Sequence, residues 1–319
     1  MTTFGHLLES ATSKLASISD TPRLDAEILL SLATGKTRTH FRAWPEKPLA
    51  QEEETAFQRL LENRLTGHPI AHLTGTREFW SREFRVTPDV LIPRPETELL
   101  IELALKLIPA GQAAHIADLG TGSGAIAVTL ALELPKASIT ALDLSPAALK
   151  LAEENAARLG ASNVCFIQSD WFAAMPFHVL GCRRIATFPP RISPKAPSGL
   201  LLPPIGPFDL IVSNPPYIAE NDPHLVEGDV RFEPRLALIS GPDGLDAIRR
   251  IVGEAPKRLN PGGWLLFEHG YGQAGRAGEL LRAAGFVDVE SFADLQGHLR
   301  VSGGRSMAPI NSHSNRACG

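Results

Sequence analysis

The chain has 319 residues, of which 44% are hydrophobic and 21% charged, a composition that excludes wholesale disorder. Its length accommodates two domains, one of them of full α/β size. A formal net charge of -4 excludes a general electrostatic pull toward nucleic acid or anionic lipid and leaves only local basic patches to consider.

The first residues, "MTTFGHLLESATSKL", have neither the basic beginning nor the apolar centre of a signal peptide. No apolar run approaches the roughly 20 residues of a membrane span. A cytoplasmic protein without membrane contact is the expectation. From residue 1 to 75 the apolar residues fall at helical spacing: Leu7, Leu8, Ala11 and Leu15; then Leu24, Ile28 and Leu32; then Phe57, Leu60, Leu61 and Leu65. Thr21 before Pro22 opens the second of these helices, and Gly67 with Pro69 closes the last. The prediction is a small helical bundle over 1–75.

Residues 76–92 contain "EFWSREFRVTPDVLI", whose aromatic and β-branched residues predict a short hairpin that connects to a second domain over 93–302. That domain opens on a helix in "PRPETELLIELALKLI", with Pro95 and early acids at its start and a stripe through Leu99, Leu100, Leu103 and Leu107. Strands and helices then alternate through "HIADLG", "AIAVTLALEL", "SITALDLS", "PAALKLAEENAARLG" and "NVCFIQSD". This order predicts an α/β fold with a mainly parallel, twisted sheet covered by helices on both faces. Further strands are expected at "FDLIVSN", "GGWLLFEHG", "FVDVESF" and "LRVSGG".

Residues 177–208 interrupt the rhythm, being rich in proline and carrying Arg183, Arg184, Arg191 and Lys195 without an acid. They read as an exposed insertion. Residues 303–319 read as a disordered polar tail. Cys165, Cys182 and Cys318 are odd in number and lack CxxC spacing, so neither a disulfide framework nor a bound metal is expected.

Between the first strand of the sheet and its helix, "ADLGTGSGAIA" holds Gly120, Thr121, Gly122, Ser123 and Gly124. Glycine lets the chain turn tightly and lets a ligand approach the backbone. No Gly-Lys-Ser/Thr follows, so this is not an ATP-binding P-loop. Gly120, Gly122 and Ala125 satisfy the dinucleotide fingerprint, and Asp143 stands about 20 residues further on, where a carboxylate meets a ribose. NAD and S-adenosylmethionine both carry that ribose, and the turn alone does not separate them. Asp170 and Trp171 close the third strand, where the indole could stack on adenine or simply seal the sheet edge.

The fourth strand runs into Asn214-Pro215-Pro216-Tyr217. The Asn214 side-chain oxygen and the Pro215 carbonyl can each accept one proton of a planar NH2 group, while the prolines hold both acceptors rigid and Tyr217 supplies an aromatic wall. Such a site orients a weakly nucleophilic nitrogen toward a methyl sulfonium, and hydride transfer has no use for it. Asn214, Pro215 and Tyr217 are therefore the catalytic candidates. They hold the substrate together with Pro216, and Asn214 also borders the cofactor.

With these segments in place the chain resembles the release-factor glutamine methyltransferases, the HemK/PrmC family. The likeness is carried by "PRPETE" (93–98), "DLGTGSGAIA" (118–127), "ALDLS" (141–145), "QSDWF" (168–172), "IVSNPPYI" (211–218), "DPHL" with "GDVRFEP" (222–234) and "LLFEHG" (265–270). It implies a helical N-terminal domain that helps seat the partner, and a class I, Rossmann-like methyltransferase domain. It also implies transfer of a methyl group from S-adenosylmethionine to the glutamine amide of the Gly-Gly-Gln motif in peptide-chain release factors. By the same resemblance Gly120 to Gly124, Asp143 and Trp171 bind the cofactor, and Asn214 to Tyr217 hold the glutamine. Arg94, Glu98, Asp170, Arg231 and Glu233 stand as further loop-ordering or substrate contacts. A monomer is expected.

Methylation of an exocyclic amine on adenine or cytosine could use the same Asn-Pro-Pro-Tyr chemistry. It would require base flipping and a phosphate grip, against which the net charge argues. Methylation of a glutamine in another protein is a further alternative. A non-enzymatic scaffold predicts a damaged turn or acceptor motif, and both are intact.

Overall fold

The computed structural model describes residues 2–174 and 207–307, which divide into two compact units. The first comprises residues 1–92 with 220–238, and the second residues 93–219 with 239–319. Most of the proposed insertion and residues 308–319 of the proposed tail lie outside the described residues.

In the first unit, α1 (Phe4–Leu15) starts at Thr3, whose hydroxyl accepts from the His6 N–H, and it buries the expected Leu7, Leu8, Ala11 and Leu15. Helix α2 (Pro22–Thr34) begins at its proline and stops on Gly35 at φ 67. Its buried face is Ala26, Leu29 and Leu30 with Asp25 and Glu27, not the expected Leu24, Ile28 and Leu32. The reason is ionic. Asp25 accepts from Arg64 Nε at 2.9 Å, and Glu27 is held by Arg23, Arg38 and Arg42. Burial would raise the Glu27 pKa, but the arginine hydrogen bonds outweigh it and keep that carboxyl below its ordinary range.

Helices α3 (Arg38–Ala43), α4 (Gln51–Leu65) and α5 (Ile70–Thr74) follow. Phe4, Leu8, Leu15, Leu29, Phe41 and Phe57 share one apolar core. The hairpin consists of β1 (Thr76–Phe79) and β2 (Arg82–Arg85), paired antiparallel about Trp80 and Ser81 at positive φ.

Residues 220–238, expected in the methyltransferase domain, instead belong to the first unit. Arg231 donates to the Thr66 carbonyl at 2.7 Å, Arg64 donates to Asp229, and the Phe232 ring packs on His68. Sequence order could not announce these contacts, because the two hydrogen-bonded pairs lie 165 positions apart and the ring pair nearly as far.

The second unit contains α6 (Glu98–Leu107), β3 (His115–Leu119), α7 (Ala125–Glu133), β4 (Ser138–Asp143), α8 (Pro146–Leu159) and β5 (Val164–Gln168). Then come β6 (Phe208–Ser213), α9 (Asp246–Glu254), β7 (Leu259–Glu268), α10 (Ala274–Ala283), β8 (Val287–Ala293) and β9 (Leu299–Arg305). Every expected strand is present. The sheet order is β5-β4-β3-β6-β7-β9-β8, with β9 antiparallel to both neighbours and the remaining pairs parallel.

The chain order reverses between β3 and β6, which creates the crevice where sheets of this kind bind ligands. Leu119 pairs with Leu142 and with Ser213, and Ser213 with Phe267. Hence Gly120, Asp143, Asn214 and Glu268 follow from strands in register at one carboxyl edge.

Strand β9 also corrects the expected boundary at residue 302. Gly303 and Gly304 are buried within it and pair with Leu266 and Leu265, and the Ser306 N–H donates to the Gly263 carbonyl at 2.8 Å. A Cβ on Gly303 would stand 2.4 Å from Leu266 Cδ2 and 2.8 Å from the Leu265 carbonyl, so glycine permits close approach across the ladder. Among the described residues no helix is long and apolar enough to cross a membrane.

Candidate active site

The glycine turn is shaped by backbone conformation. Gly120, Gly122 and Gly124 take φ of 74, 55 and 81, a region that disfavours residues with a Cβ. The N–H groups of Gly120 and Thr121 both donate to the Leu142 carbonyl, at 2.8 and 2.9 Å, which folds the turn back over β4. A Cβ on Gly124 would meet that of Ala152 in α8 at 3.0 Å, whereas nothing lies within 4 Å of one on Gly122. The third glycine thus serves helix packing and the second leaves open space.

Asp143 holds this turn from the end of β4. Its Oδ2 accepts from the Gly122 N–H and its Oδ1 from the Ser145 N–H, both at 2.8 Å. Burial raises the Asp143 pKa, opposed by the N–H groups of Ser145, Gly122 and Leu144. A carboxylate offers about four acceptor positions, so capacity remains for a ligand hydroxyl. Two positions before Gly120 stands Asp118, a residue that sequence reasoning missed. It is fully buried, accepts from the Thr121 hydroxyl at 2.7 Å and the Ala127 N–H at 3.2 Å, and is pushed by burial up to about 7.

Trp171 lies beside Gly120, with its ring 3.7 Å from where a Cβ on that glycine would stand. Its own φ of 52 is rare for a bulky residue. Ser169 secures the turn: its hydroxyl donates to the Trp171 carbonyl at 2.6 Å and accepts from the Ala174 N–H at 3.0 Å. Asp170 faces elsewhere, in a half-exposed ion pair with Arg250 at 2.8 Å.

Asn214 follows β6 directly. Its Nδ2 donates to the Thr97 hydroxyl at 3.0 Å, while its Oδ1 is shielded from solvent and has no hydrogen-bond partner among the described residues. A shielded carbonyl oxygen left unpaired costs on the order of 1–3 kcal/mol, and native structures keep few of them.

Thr97 in turn donates to Glu268 Oε2 at 2.6 Å, and Tyr217 Oη donates to Glu268 Oε1 at 3.1 Å. Burial drives the Glu268 carboxyl up to about 7, against the pull of these two donors. Burial also raises the Tyr217 phenol, helped by the adjacent carboxylate, so it remains a donor. The Tyr217 backbone is clamped as well: Gln273 Nε2 donates to its carbonyl at 3.0 Å, and a Cβ on Gly244 would come within 2.3 Å of that oxygen.

Thr97, Glu268 and Gln273 were therefore absent from the expected site. Two of them lay inside segments noted for other reasons, "PRPETE" and "LLFEHG", and a lone buried acid ending a strand was the available signal for Glu268.

The remaining candidates separate. Arg94 and Glu98 flank the 3-10 turn Pro95–Thr97 that delivers Thr97, and the Arg94 carbonyl accepts from the Thr97 N–H at 3.1 Å. Arg231 and Glu233 belong to the first unit, where each orders backbone: Arg231 on the Thr66 carbonyl, Glu233 accepting from the Ile92 N–H at 3.0 Å.

Residues 6–75 match a family described as "PrmC N-terminal domain", and residues 111–274 match one described as "Methyltransferase domain". The chain is 45% identical over 302 residues to the release factor glutamine methyltransferase of Salmonella typhimurium, covering 95% of this chain and 98% of that protein. It is 47% identical over 283 residues to the enzyme of that name from Bordetella pertussis, covering 89% and 94% respectively. The Escherichia coli enzyme is 43% identical over 302 residues, covering 95% and 98%. With this identity running through both matched domains, the chain belongs to the release factor glutamine methyltransferase family.

Proposed function

We propose that this chain methylates the side-chain amide nitrogen of the glutamine in the Gly-Gly-Gln motif of peptide-chain release factors, using S-adenosylmethionine. Family membership supports the reaction class. Within the chain, the observation that carries the reading is Asn214 Oδ1, an acceptor without a partner among the described residues, at the same sheet edge as the glycine turn.

The residues of the turn fit the cofactor. The space over Gly122 is open, Asp143 keeps acceptor capacity for ribose hydroxyls, and Trp171 presents a partly exposed indole. When bound there, S-adenosylmethionine supplies a methyl group on a positively charged sulfur.

The chain's own residues position the acceptor. Asn214 Oδ1 and the Pro215 carbonyl accept the two N–H groups of the glutamine amide, and Tyr217 walls its plane. An amide nitrogen is a poor nucleophile because its lone pair is shared with the carbonyl. Well-oriented reactants can gain roughly 7 to 11 kcal/mol, which is the contribution this clamp makes. As positive charge grows on the nitrogen, both acceptors strengthen their hold on its protons, stabilising the charge where it develops. One of those protons is then released to solvent.

On this reading the enzyme acts as a monomer on a release factor in the cytoplasm. Fragment mass spectrometry of a purified release factor, incubated with the protein and methyl-labelled S-adenosylmethionine, tests the reading. Label on the Gly-Gly-Gln amide is expected. Label confined to nucleic acid or to another protein would overturn the substrate assignment.

A further inference from the structure

We infer that Glu268 is a positioning residue for the methylation proposed above: in its ionised form it determines, through the Thr97 hydroxyl, which end of the Asn214 amide is offered to the substrate.

The argument is a count of protons along three side chains. An ionised carboxylate only accepts hydrogen bonds. The Thr97 hydroxyl has one proton, and its 2.6 Å contact with Glu268 Oε2 consumes it. Toward Asn214 the hydroxyl oxygen can then only accept, so at 3.0 Å it must face the amide NH2. The Asn214 oxygen is thereby turned the other way, where no donor among the described residues meets it. This is the orientation that accepts an N–H of a substrate amide.

A neutral Glu268 removes the constraint. Its own O–H can donate to Thr97, the Thr97 proton is freed for the Asn214 oxygen, and the amide turns over. The pocket then presents NH2 to NH2, and donor meets donor. Tyr217 cannot restore the direction, because its phenol stays protonated and touches the other carboxylate oxygen.

Charged neighbours act on Glu268 from each side. Glu96, on the 3-10 turn, disfavours its ionised form, and Arg300, on β9, favours it. Arg94 and Arg300 act on Tyr217. Next along β7, His269 bonds Gly270 and Ser302. Burial dominates and carries Glu268 to about 7, so a carboxyl that is fully shielded would change state within the working range. The competent form is the ionised one. Turnover at saturating cofactor should therefore decline as pH falls through about 7.

The test compares Glu268→Gln, Thr97→Val and Thr97→Ser with the wild type at saturating S-adenosylmethionine, following methylation of the acceptor that the wild type labels. Melting temperature and cofactor affinity establish that each variant is folded. Glu268→Gln should lower kcat by about 100-fold, since a misdirected group can cost that much. It should also abolish the decline toward acid pH, with cofactor affinity within about twofold. Thr97→Val should do the same, and Thr97→Ser should recover most of the rate together with the acid limb. The double variant Thr97→Val/Glu268→Gln should be no worse than the poorer single variant, because both break one chain.

A folded Glu268→Gln enzyme with wild-type rate and pH profile overturns the relay. So do additive losses in the double variant. Failure of the proposed substrate is distinguishable, because it appears as wild-type labelling of some other amine, on which the same comparison is made.

Discussion

Replacing Asn214 by alanine removes the oriented acceptor without touching the turn around Asp143. The expected result is a loss of about 10²–10³ in kcat with cofactor affinity within about twofold, measured by steady-state kinetics and calorimetry. Asp143→Ala should act in the opposite sense. Its carboxylate accepts from the Gly122 and Ser145 N–H groups beside the proposed ribose position, so cofactor affinity should weaken by at least about tenfold. Unchanged affinity would show that the ribose lies elsewhere. The placement of Asn214 and Asp143 at the ends of their strands was legible in the sequence, because each stands in a short contiguous pattern that closes an apolar run. Thr97 and Glu268 were not legible: their hydrogen bond joins residues 171 positions apart, and neither residue type is diagnostic alone.

The strands of the second unit were predicted from apolar runs and turn residues, and the register that aligns their carboxyl ends follows from burial of both sheet faces. Their edges were harder. Gly303→Ala would force a methyl group to within 2.4 Å of Leu266 Cδ2, and should destabilise β9 by about 1–3 kcal/mol, read as a lowered melting temperature. In the first unit, α2 presents two rival stripes at helical spacing, and counting apolar residues selected the wrong one. The buried pair Asp25 and Arg64 selects the other. Arg64→Met should therefore cost about 3–5 kcal/mol, because it strands a buried carboxylate. Equal stability in chemical denaturation would show that Asp25 finds another partner.

For the whole molecule, Asp118 and Glu268 make stability depend on pH. Both are raised to about 7 by burial, from ordinary values of 3.8 and 4.5. Between those values the folded state keeps protons that the unfolded chain releases, so the stability they contribute is full below the ordinary carboxylate range and is lost as pH rises through about 7. Glu27 and Glu53 are shifted down, and their contribution is lost only in acid below the ordinary range. The melting temperature should accordingly be higher at pH 5.5 than at pH 8, by about 3 °C or more. Glu268→Gln should flatten part of that slope. A curve unchanged by this variant would mean that Glu268 is ionised throughout.

The α/β order and the placement of the glycine turn, its following acid and Asn-Pro-Pro-Tyr at the ends of strands were determined by sequence alone, since local periodicity and backbone freedom are properties of neighbouring residues. The tertiary structure decided the assignment of residues 220–238 to the first unit, the face that α2 buries, and the chain from Glu268 through Thr97 to Asn214. Each of these depends on a polar group finding its partner far along the chain. Burial makes that partner obligatory, and only the folded arrangement of strands and loops determines which one it is.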